Sequence, residues 1–233
     1  MKKIETYSQF GEDRIIFDFF QRKMDGYFVE IGAHHPYALS QTWLLEKNGW
    51  RGILIEPIPH LAKELREKRK NSKVFECGVS SPDKTGTGFV VMKEPLAESE
   101  VVFDKPSTRD FRTIRIRSLN DIFQEAECSG IDFLSIDVEG MEIPALGGMD
   151  FSLYRPKLIL IEDHCNNLIK HNFLKSKGYK IVNRCGCNNW YIPKEDRYTG
   201  EMTVTKFELI RKLYLGLPFR KFKRKYRSKK MEN

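Results

Sequence analysis

Acidic and small residues follow five short apolar runs in this 233-residue sequence, at the points where each run ends. The runs GILI, FLSI and LILI are typical of parallel strands that are buried on both faces. Ligands bind to open α/β sheets outside the carboxyl ends of the strands, so these ends define a predicted site. The residues at the five ends are, in chain order, Glu30, Gly32, Ala33, His34 and His35, then Glu56 and Pro57, then Glu76, Cys77 and Gly78, then Asp137, Glu139 and Gly140, and finally Glu162, Asp163 and His164.

The turn from Glu30 to Ala33, taken together with Glu56, indicates a nucleoside site. Gly32 lets the backbone turn tightly and approach a ligand closely, and Glu30 can accept hydrogen bonds from an amino group or a ribose. Glu56 lies 26 residues after Glu30, where a carboxylate can hold both ribose hydroxyls. Gly32 on its own would also fit an ordinary strand-to-helix turn, but the position of Glu56 favours the ligand site.

The loop after this turn lacks the glycine patterns that bind phosphates. It reads GAHHPY, with Pro36 where a later glycine of GxGxxG would stand, and the sequence contains no GxxxxGK[ST] motif. A bound pyrophosphate needs close backbone contact and a helix N-terminus, so NAD, FAD and P-loop nucleotides are disfavoured. S-adenosylmethionine carries no phosphate and has no such requirement.

Three residues on two predicted strand ends suit proton transfer: Asp137, Glu162 and His164. His164 can act as a general base that Asp137 or Glu162 orients. Alternatively, these carboxylates and His164 can bind Mg²⁺ or Mn²⁺, which lowers the pKa of a bound hydroxyl. The competing structural interpretation is that Asp163 and His164 only cap the following helix.

Apolar runs that alternate with amphipathic stretches predict an α/β fold, with a mostly parallel sheet and helices on both faces. The predicted strands span residues 27–32, 52–57, 73–80, 131–138 and 156–164, followed by an antiparallel hairpin at 179–194. The predicted helices span residues 39–49, 59–71, 118–127, 139–149 and 166–178. Residues 81–117 predict an excursion or hairpin outside this pattern.

Three segments, residues 8–16, 28–57 and 131–151, closely resemble the FkbM-type family of S-adenosylmethionine-dependent methyltransferases. The run LSIDVEGMEIPALGG is the most specific, and the resemblance covers roughly residues 5–193. It implies a Rossmann-like methyltransferase fold with a seven-stranded sheet whose last strand is antiparallel. Family members more often carry Asn-Asp-Gly where this chain has His34, His35 and Pro36.

The resemblance also implies roles for particular positions. A first cofactor motif, a ribose-binding acid, an adenine-flanking segment and an N-terminal segment that closes over the cofactor all have matches in this chain. Asp137 and Glu139 match the place where the methionine end of the cofactor meets the acceptor. The predicted cofactor-binding residues are Gln9, Gly11, Glu12, Glu30, Gly32, Ala33, Glu56, Pro57, Cys77, Gly78, Val79, Asp137 and Glu139. The predicted catalytic residues and the candidate metal ligands are the same three: Asp137, Glu162 and His164.

The net charge of +8 is concentrated at the C-terminal end. From Arg211 onward there are ten Lys or Arg and one acidic residue, so the rest of the chain is close to neutral. A core that binds nucleic acid would spread its positive charge over a folded face, so nucleic acid is a disfavoured partner. We therefore divide the chain into a methyltransferase domain, residues 1–198, and a basic, aromatic-rich tail, residues 199–233.

Apolar residues alternate with Lys and Arg over residues 207–230, a pattern that suits the interface of an anionic membrane. Binding to RNA and a solvated basic end are the alternatives. The N-terminus lacks the apolar core of a signal peptide, and no apolar run reaches the roughly 18 residues that span a bilayer. These features predict a cytoplasmic protein, peripheral at the inner face of the membrane if the tail binds there.

Other residue types receive structural interpretations. Five cysteines at irregular spacings indicate reduced thiols rather than disulfides. His60 and His171 lie in helical stretches and are expected at the surface. Trp190 is expected to pack in the core or at an edge, with stacking on an acceptor sugar as the alternative.

The family resemblance, together with the residues at the strand ends, predicts an O-methyltransferase that acts on a sugar hydroxyl of a surface polysaccharide, glycolipid or related glycoside. In-line transfer from a sulfonium requires an aligned acceptor oxygen and removal of the hydroxyl proton. Residues 81–117 and 184–192 are expected to shape the acceptor pocket. The alternatives are a nucleotide-dependent oxidoreductase on the same fold and a non-catalytic module that binds nucleic acid through the tail.

Overall fold

A mostly parallel seven-stranded sheet forms the centre of the protein, in a computed structural model that describes residues 5–108 and 110–220. In chain order the strands of the described residues are β1 (Tyr27–Ile31), β2 (Arg51–Ile55), β3 (Ser72–Phe75), β4 (Gly78–Val79), β5 (Gly86–Val91), β6 (Glu100–Val102), β7 (Phe111–Arg117), β8 (Phe133–Ile136), β9 (Leu158–Glu162), β10 (Tyr179–Cys185) and β11 (Asn188–Pro193). The spatial order of the central sheet is β10-β11-β9-β8-β1-β2-β3.

Five neighbouring strands of this sheet, β3, β2, β1, β8 and β9, are parallel, so their carboxyl ends lie along one edge. The last strand, β11, runs antiparallel to both β9 and β10. The predicted seven-stranded sheet with an antiparallel last strand is therefore confirmed, and so is the closing hairpin. Strand β1 is central, with Glu30 opposite Leu54 of β2 and Ser135 of β8.

Helices cover both faces of the sheet. They are α1 (Glu12–Phe19), α2 (Trp43–Lys47), α3 (Pro59–Lys68), α4 (Leu119–Glu125), α5 (Glu142–Gly147), α6 (Ile169–Ser176) and α7 (Lys206–Ile210). Alternate residues of a strand face opposite sides of a sheet. Val29 and Ile31 of β1 pack on the side of α4, α5 and α6, whereas Phe28 packs on the side of α1, α2 and α3.

The predicted third strand, residues 73–80, is wrong in its second half. Strand β3 ends at Phe75, and Gly78 and Val79 form β4, which belongs to a separate four-stranded sheet of order β4-β7-β5-β6. This second sheet contains the excursion predicted for residues 81–117. A Cβ on Gly78 would lie 2.7 Å from Ile116 Cδ1, so glycine permits the close pairing of β4 with β7. A continuous apolar run does not reveal that its two halves pair in different sheets.

The helices are shorter than the sequence pattern predicts, and two of them begin late because loop residues before them take positive φ angles. Helix α2 begins at Trp43, since Leu39 has a φ of 64° and the Ser40 hydroxyl accepts the Trp43 N–H at 3.1 Å. Helix α5 begins at Glu142, since Glu139 has a φ of 46°. Leu39 and Glu139, the two residues with positive φ, lie at the same edge of the sheet as the predicted site. The sequence pattern also did not predict α1.

The first part of the C-terminal tail packs against the domain. Helix α7 continues into a π-helical turn at Arg211–Leu215, and Leu209 and Leu213 are buried against Cys165. Within residues 5–108 and 110–220, no helix is both long and apolar enough to cross a bilayer. The remainder of the tail, including Phe222 and Tyr226 of the proposed membrane-binding pattern, lies outside the described residues.

Candidate functional site

A cleft of about 270 Å³ opens along the carboxyl ends of β1, β2, β8 and β9. This is the edge at which open α/β sheets bind their ligands. Residues of the second sheet line its far wall. Nine of the predicted site residues line the cleft, namely Gln9, Glu30, Gly32, Ala33, Glu56, Pro57, Asp137, Glu139 and Glu162. The strand ends that the sequence singled out therefore meet in one place.

Gly32 joins the two halves of the cleft floor. Its φ is 82°, and a Cβ built on it would lie 1.9 Å from the backbone oxygen of Asp137. The Gly32 N–H donates to Ile55 O at 2.9 Å, and the Asp137 N–H donates to Ile31 O at 3.0 Å. A side chain at residue 32 would push the β1 and β8 strand ends apart. Glycine at this position therefore lets the two strand ends pack closely at the floor of the cleft.

Glu56 holds the loop after β1 and lines the cleft. One carboxylate oxygen accepts the N–H of His34 at 2.8 Å, and the other accepts the N–H of Ile58 at 2.8 Å. Burial raises the pKa of Glu56 to about 7, although both hydrogen bonds oppose that change. Each oxygen has a further lone pair, so the position still suits two ribose hydroxyls.

Glu30 is held by protein groups more completely than Glu56. Its carboxylate accepts the Gln41 N–H at 2.9 Å and the Thr42 hydroxyl at 2.6 Å, and the Arg69 guanidinium lies 4.0 Å away. Burial raises the pKa of Glu30, and Arg69 opposes this. Arg69 is fully buried and also pairs with Glu46 at 2.6 Å. Glu30 therefore fixes the loop that leads into α2, and its direct contact with a ligand stays a prediction.

At the other end of the cleft, Asp137, Glu139 and Glu162 bring carboxylate oxygens within 4.8 Å of one another. Asp137 is exposed to solvent at the floor of the cleft, and the walls of the cleft enclose its carboxylate on the other sides. This enclosure, followed by the charges of Glu162, Glu139 and Glu142, raises the pKa of Asp137 to about 7. Partial burial and then Glu162 also raise the pKa of Glu139. A carboxyl group with a pKa near neutrality is suited to accept a proton.

Lys170 of α6 borders this acid cluster. Its Nζ donates to the backbone oxygen of Glu162 at 2.7 Å and lies 2.9 Å from Glu142 Oε2. The Glu142 side chain is buried, so this ion pair offsets one buried negative charge. Asp137, Glu139 and Glu162 still give this end of the cleft an excess of negative charge.

His164 does not join the acid cluster. Its side chain is 65% exposed and does not line the cleft, although Nε2 lies 3.4 Å from Glu162 Oε1. Glu139 supplies the third oxygen instead, so the candidate ligand set changes from Asp137, Glu162 and His164 to Asp137, Glu139 and Glu162. Asp163 has a structural role, because its carboxylate accepts the Cys165 N–H at 2.7 Å and the Asn189 amide at 3.0 Å.

The N-terminal segment lies at one end of the cleft. Gln9 lines the cleft, whereas Glu12 is fully buried and accepts a hydrogen bond of 2.6 Å from the Asn188 amide. Asn188 itself lines the cleft, within residues 184–192, which the sequence predicted only as a region of the acceptor pocket. Gly11 has a φ of 75° at the N-cap of α1. Gly11 and Glu12 thus position the segment without lining the cleft.

Residues 77–79 line a small side pocket of about 20 Å³, which shares Gly32, Pro57 and Val138 with the cleft. Burial raises the pKa of the Cys77 thiol to about 12, so the thiol is neutral and forms part of an apolar wall. An apolar wall next to Glu56, the predicted ribose-binding acid, would suit the face of an adenine ring. The predicted adenine-flanking segment therefore lies beside the main cleft.

Sequence reasoning located the far wall of the cleft only as a region. The residues Leu96, Ala97 and Ser99 lie at a short 3₁₀ turn, and Val90 and Val101 belong to β5 and β6. Small and apolar side chains such as these carry no motif, and only the pairing of the second sheet brings them to the cleft.

His34 is also a cleft residue, and the sequence pattern predicted no role for it. It lines the cleft with a φ of 49°, and its Nδ1 is buried without a hydrogen-bond partner among the described residues. Burial lowers the pKa of His34, so the ring is neutral near pH 7. A neutral imidazole with a free nitrogen can donate to or accept from a ligand.

The burial of His171 and Trp190 decides two further predictions. His171 is buried rather than at the surface, because Tyr214 of the C-terminal segment covers it; its Nε2 lies 2.9 Å from the Tyr214 hydroxyl. The periodicity of α6 alone does not show this covering segment. Trp190 is fully buried and packs in the core, so it does not stack on an acceptor sugar. All five cysteines are free thiols, as predicted.

Comparison with known proteins identifies one family. The model of the methyltransferase FkbM domain matches residues 30–181, which include the floor of the cleft and its acid cluster. No curated protein matches the chain significantly.

Several solved structures are similar in fold. A precorrin-6y C5,15-methyltransferase from Geobacter metallireducens is 13% identical over 81% of this chain and 91% of its own, with a TM-score of 0.43. A TehB-like SAM-dependent methyltransferase from Corynebacterium glutamicum is 12% identical over 80% of this chain and 89% of its own, with a TM-score of 0.42. The O-methyltransferase TomG from Streptomyces achromogenes, which is involved in tomaymycin synthesis and was solved with SAM, is 10% identical over 78% of this chain and 79% of its own, with a TM-score of 0.47.

Proposed function

Since this chain belongs to the FkbM family of S-adenosylmethionine-dependent methyltransferases, we propose that it methylates a hydroxyl of a neutral sugar in a surface polysaccharide, glycolipid or related glycoside. The family decides against the alternative of a nucleotide-dependent oxidoreductase. The observation that carries the proposal is the position of Asp137, a carboxyl group with a pKa of about 7 on the floor of the cleft.

The cleft residues fit the cofactor on structural grounds. Gly32 lines the cleft without adding a side chain to it, and its backbone packs directly against the Asp137 carbonyl. Glu56 would hold the ribose, and the wall that contains Cys77 would flank the adenine. S-adenosylmethionine supplies an activated methyl group when it is bound. The carboxylates at the β8 and β9 ends would favour its cationic end by charge.

Asp137 is the residue that we assign to proton removal. A sugar hydroxyl is a very weak acid, so its proton must leave as the oxygen bonds to the methyl carbon. Asp137 lies next to the Gly32 turn and within the acid cluster, and it therefore borders both the cofactor space and the acceptor space. Burial, and then repulsion by Glu162 and Glu139, raises its pKa, which makes the carboxylate a stronger base.

The charge of the cleft supports a neutral acceptor. Asp137, Glu139 and Glu162 would repel a phosphate or carboxylate that lies among them. The far wall offers small and apolar side chains at Ala97 and Val101, with Ser99 as a polar group. A neutral polyhydroxyl compound fits these surroundings better than a phosphorylated or acidic sugar.

A metal-dependent mechanism is the alternative use of the acid cluster. Asp137, Glu139 and Glu162 would hold the cation through the oxygen ligands that Mg²⁺ and Mn²⁺ prefer. Such an ion would lower the pKa of the acceptor hydroxyl. Turnover measured with added EDTA, and then with added Mg²⁺, separates this form from proton removal by Asp137 alone.

The test is transfer of a labelled methyl group from S-adenosylmethionine to a panel of neutral glycosides, uronic acids and sugar phosphates. We expect O-methylation among the neutral glycosides. Replacement of Asp137 by Asn should lower kcat about 10²–10⁴-fold, the usual contribution of a general base, and this loss should exceed any accompanying loss of cofactor affinity. Asp25→Asn, a change at an exposed carboxylate outside the cleft, is the matched control.

Three results would contradict the proposal. Turnover that survives in Asp137→Asn would remove this residue from proton transfer. Methylation of the anionic acceptors alone would overturn the neutral sugar as substrate. Cofactor binding with no turnover on any acceptor would overturn it too, and would favour the non-catalytic binding module.

A further inference from the structure

The C-terminal helical segment, residues 206–220, has one side that no other part of the described chain covers. The side chains on it are large and apolar. Phe207 is 66% exposed, Leu215 is 57% exposed and Phe219 is 78% exposed. Ile210 and Tyr214, each 43% exposed, complete this surface, which we call the terminal helix face. Single exposed apolar residues are ordinary, but five within 13 residues form a patch of the kind that marks an interaction site.

The opposite side of the segment is fixed to the domain. Leu209 and Leu213 are buried at 6% and 2% exposure against Cys165. At the border between the two sides, the Tyr214 hydroxyl bonds to His171 Nε2 at 2.9 Å, and Arg220 Nε donates to Cys165 O at 2.8 Å. The terminal helix face is therefore held in one orientation relative to the sheet and is not the free side of a loose tail.

The segment docks next to the cleft. Its anchor, Cys165, follows Glu162 by three residues, and Glu162 lines the cleft at the carboxyl end of β9. The other covered residue, His171, lies on α6 together with Lys170, which borders the acid cluster. A surface bound at the terminal helix face would thus lie at the same edge of the sheet as the acceptor site.

The segment carries a net positive charge. Residues 206–220 contain four basic residues, Lys206, Arg211, Lys212 and Arg220, and one acidic residue, Glu208, and the sequence that follows, residues 221–233, contains seven Lys or Arg and one acidic residue. Aliphatic and aromatic side chains beside basic ones match the headgroup and acyl boundary of an anionic bilayer. Single-stranded RNA would require stacking on aromatic rings, and it would leave Ile210 and Leu215 without a role.

We propose that the terminal helix face docks this enzyme onto an anionic membrane surface and brings the cleft close to acceptors attached to lipid. The apolar side chains enter the boundary region, and the basic residues bind the anionic headgroups. The buried side, with Leu209 and Leu213, fixes the orientation of this face relative to the β9 end of the cleft. This inference concerns binding and does not depend on which acceptor hydroxyl is methylated.

The experiment is co-sedimentation of the full chain with vesicles of phosphatidylcholine alone and with vesicles that contain phosphatidylglycerol. We expect binding to the anionic vesicles only. Phe207→Ser combined with Phe219→Ser should lower the partition coefficient about tenfold or more, because both exposed rings leave the bilayer boundary. Leu153→Ser is the matched control, since Leu153 is 68% exposed but precedes β9 at the opposite edge of the sheet.

Thermal unfolding and S-adenosylmethionine binding of each variant show whether the fold is intact, and both should be unchanged because the substituted side chains are exposed. Failure of the wild type to bind the anionic vesicles would overturn the proposal. Equal binding by the Phe207 and Phe219 double variant would also overturn it. Binding to an oligouridylate probe in place of the vesicles would assign the surface to RNA. A failure of methyl transfer alone bears on the proposed function and leaves this result standing.

Discussion

The carboxylates in the two halves of the cleft have opposite surroundings. On the β1 and β2 side, Glu30 and Glu56 are buried, and backbone N–H groups of the neighbouring loops donate to both of them. On the β8 and β9 side, Asp137 and Glu139 face the open cleft beside Glu162, and each repels the others. The carboxylates of the first half thus have hydrogen-bond partners within the ligand-free protein. Those of the second half carry negative charge that a ligand can neutralise.

The first arrangement suits the binding of a ligand, and the second suits proton transfer. A fixed loop can bind a nucleoside without rearrangement, because its hydrogen bonds already set the position of the backbone. A cluster of like charges raises the pKa of its members and so prepares them to exchange protons. The predictions below alter first the fixed half and then the charged half.

The largest expected effect comes from removing the buried cation of the fixed half. Arg69→Leu leaves Glu46 and Glu30 buried without their partner, so the free energy of unfolding should fall by about 3–5 kcal/mol. Urea denaturation measures this change. Arg66→Leu breaks only a half-exposed pair with Glu76, and it should cost less than about 1 kcal/mol. Similar losses in the two variants would mean that the network does not hold the loop.

The second prediction concerns cofactor affinity. Glu56→Ala removes the acceptor of two backbone N–H groups and of the proposed ribose contacts, so binding of S-adenosylmethionine should weaken by about 1–3 kcal/mol. Isothermal calorimetry measures the change, with Glu67→Ala on the exposed side of α3 as the control. Unchanged affinity in Glu56→Ala would remove this residue from the cofactor site.

The third prediction uses the raised pKa of Asp137. Because the folded protein holds this proton up to about pH 7 and the unfolded chain releases it near pH 3.8, the stabilisation from this group is present at low pH. It is lost as the pH rises through 7. Glu56 contributes in the same direction. The unfolding midpoint of the ligand-free protein should therefore fall over this range.

Asp137→Asn isolates this group, since the amide cannot titrate. The midpoint of the variant should exceed that of the wild type by a margin that grows up to about pH 7 and then stays constant. Differential scanning calorimetry at several pH values measures the margin. A margin that shrinks with rising pH would show that the pKa of Asp137 is not raised.

The smallest effect is expected at His164. Its side chain is mostly exposed and reaches only Glu162, so His164→Ala should change kcat/KM by less than about threefold, or under 1 kcal/mol. A loss of about tenfold or more would return His164 to the catalytic set and would require a rearrangement of the loop after β9. Steady-state kinetics on the methylated acceptor decides between these outcomes.

The sequence predicted those parts of the protein that depend on local pattern. Strands, the Gly32 turn and the acids at strand ends follow from short apolar runs and from residues next to one another in the chain. The antiparallel position of the last strand came from the family resemblance. These features account for the cleft floor and most of its acidic residues.

The rest depends on contacts between distant segments. Gly78 pairs in the second sheet because β7 lies beside it, and His171 is buried because Tyr214 covers it. Glu139 replaces His164 in the acid cluster because of the three-dimensional course of two loops. The wall at Leu96 and Ser99 is formed by side chains that carry no motif of their own. None of these contacts has a signature within a single stretch of sequence.

The most direct test of the account is a crystal structure of the protein with S-adenosylhomocysteine. We predict that both ribose hydroxyls lie within about 3.2 Å of the Glu56 carboxylate, that the homocysteine backbone rests above Gly32, and that the sulfur faces Asp137. A ligand found outside this cleft, or one whose sulfur lies on the far side of the sheet edge from Asp137, would contradict it.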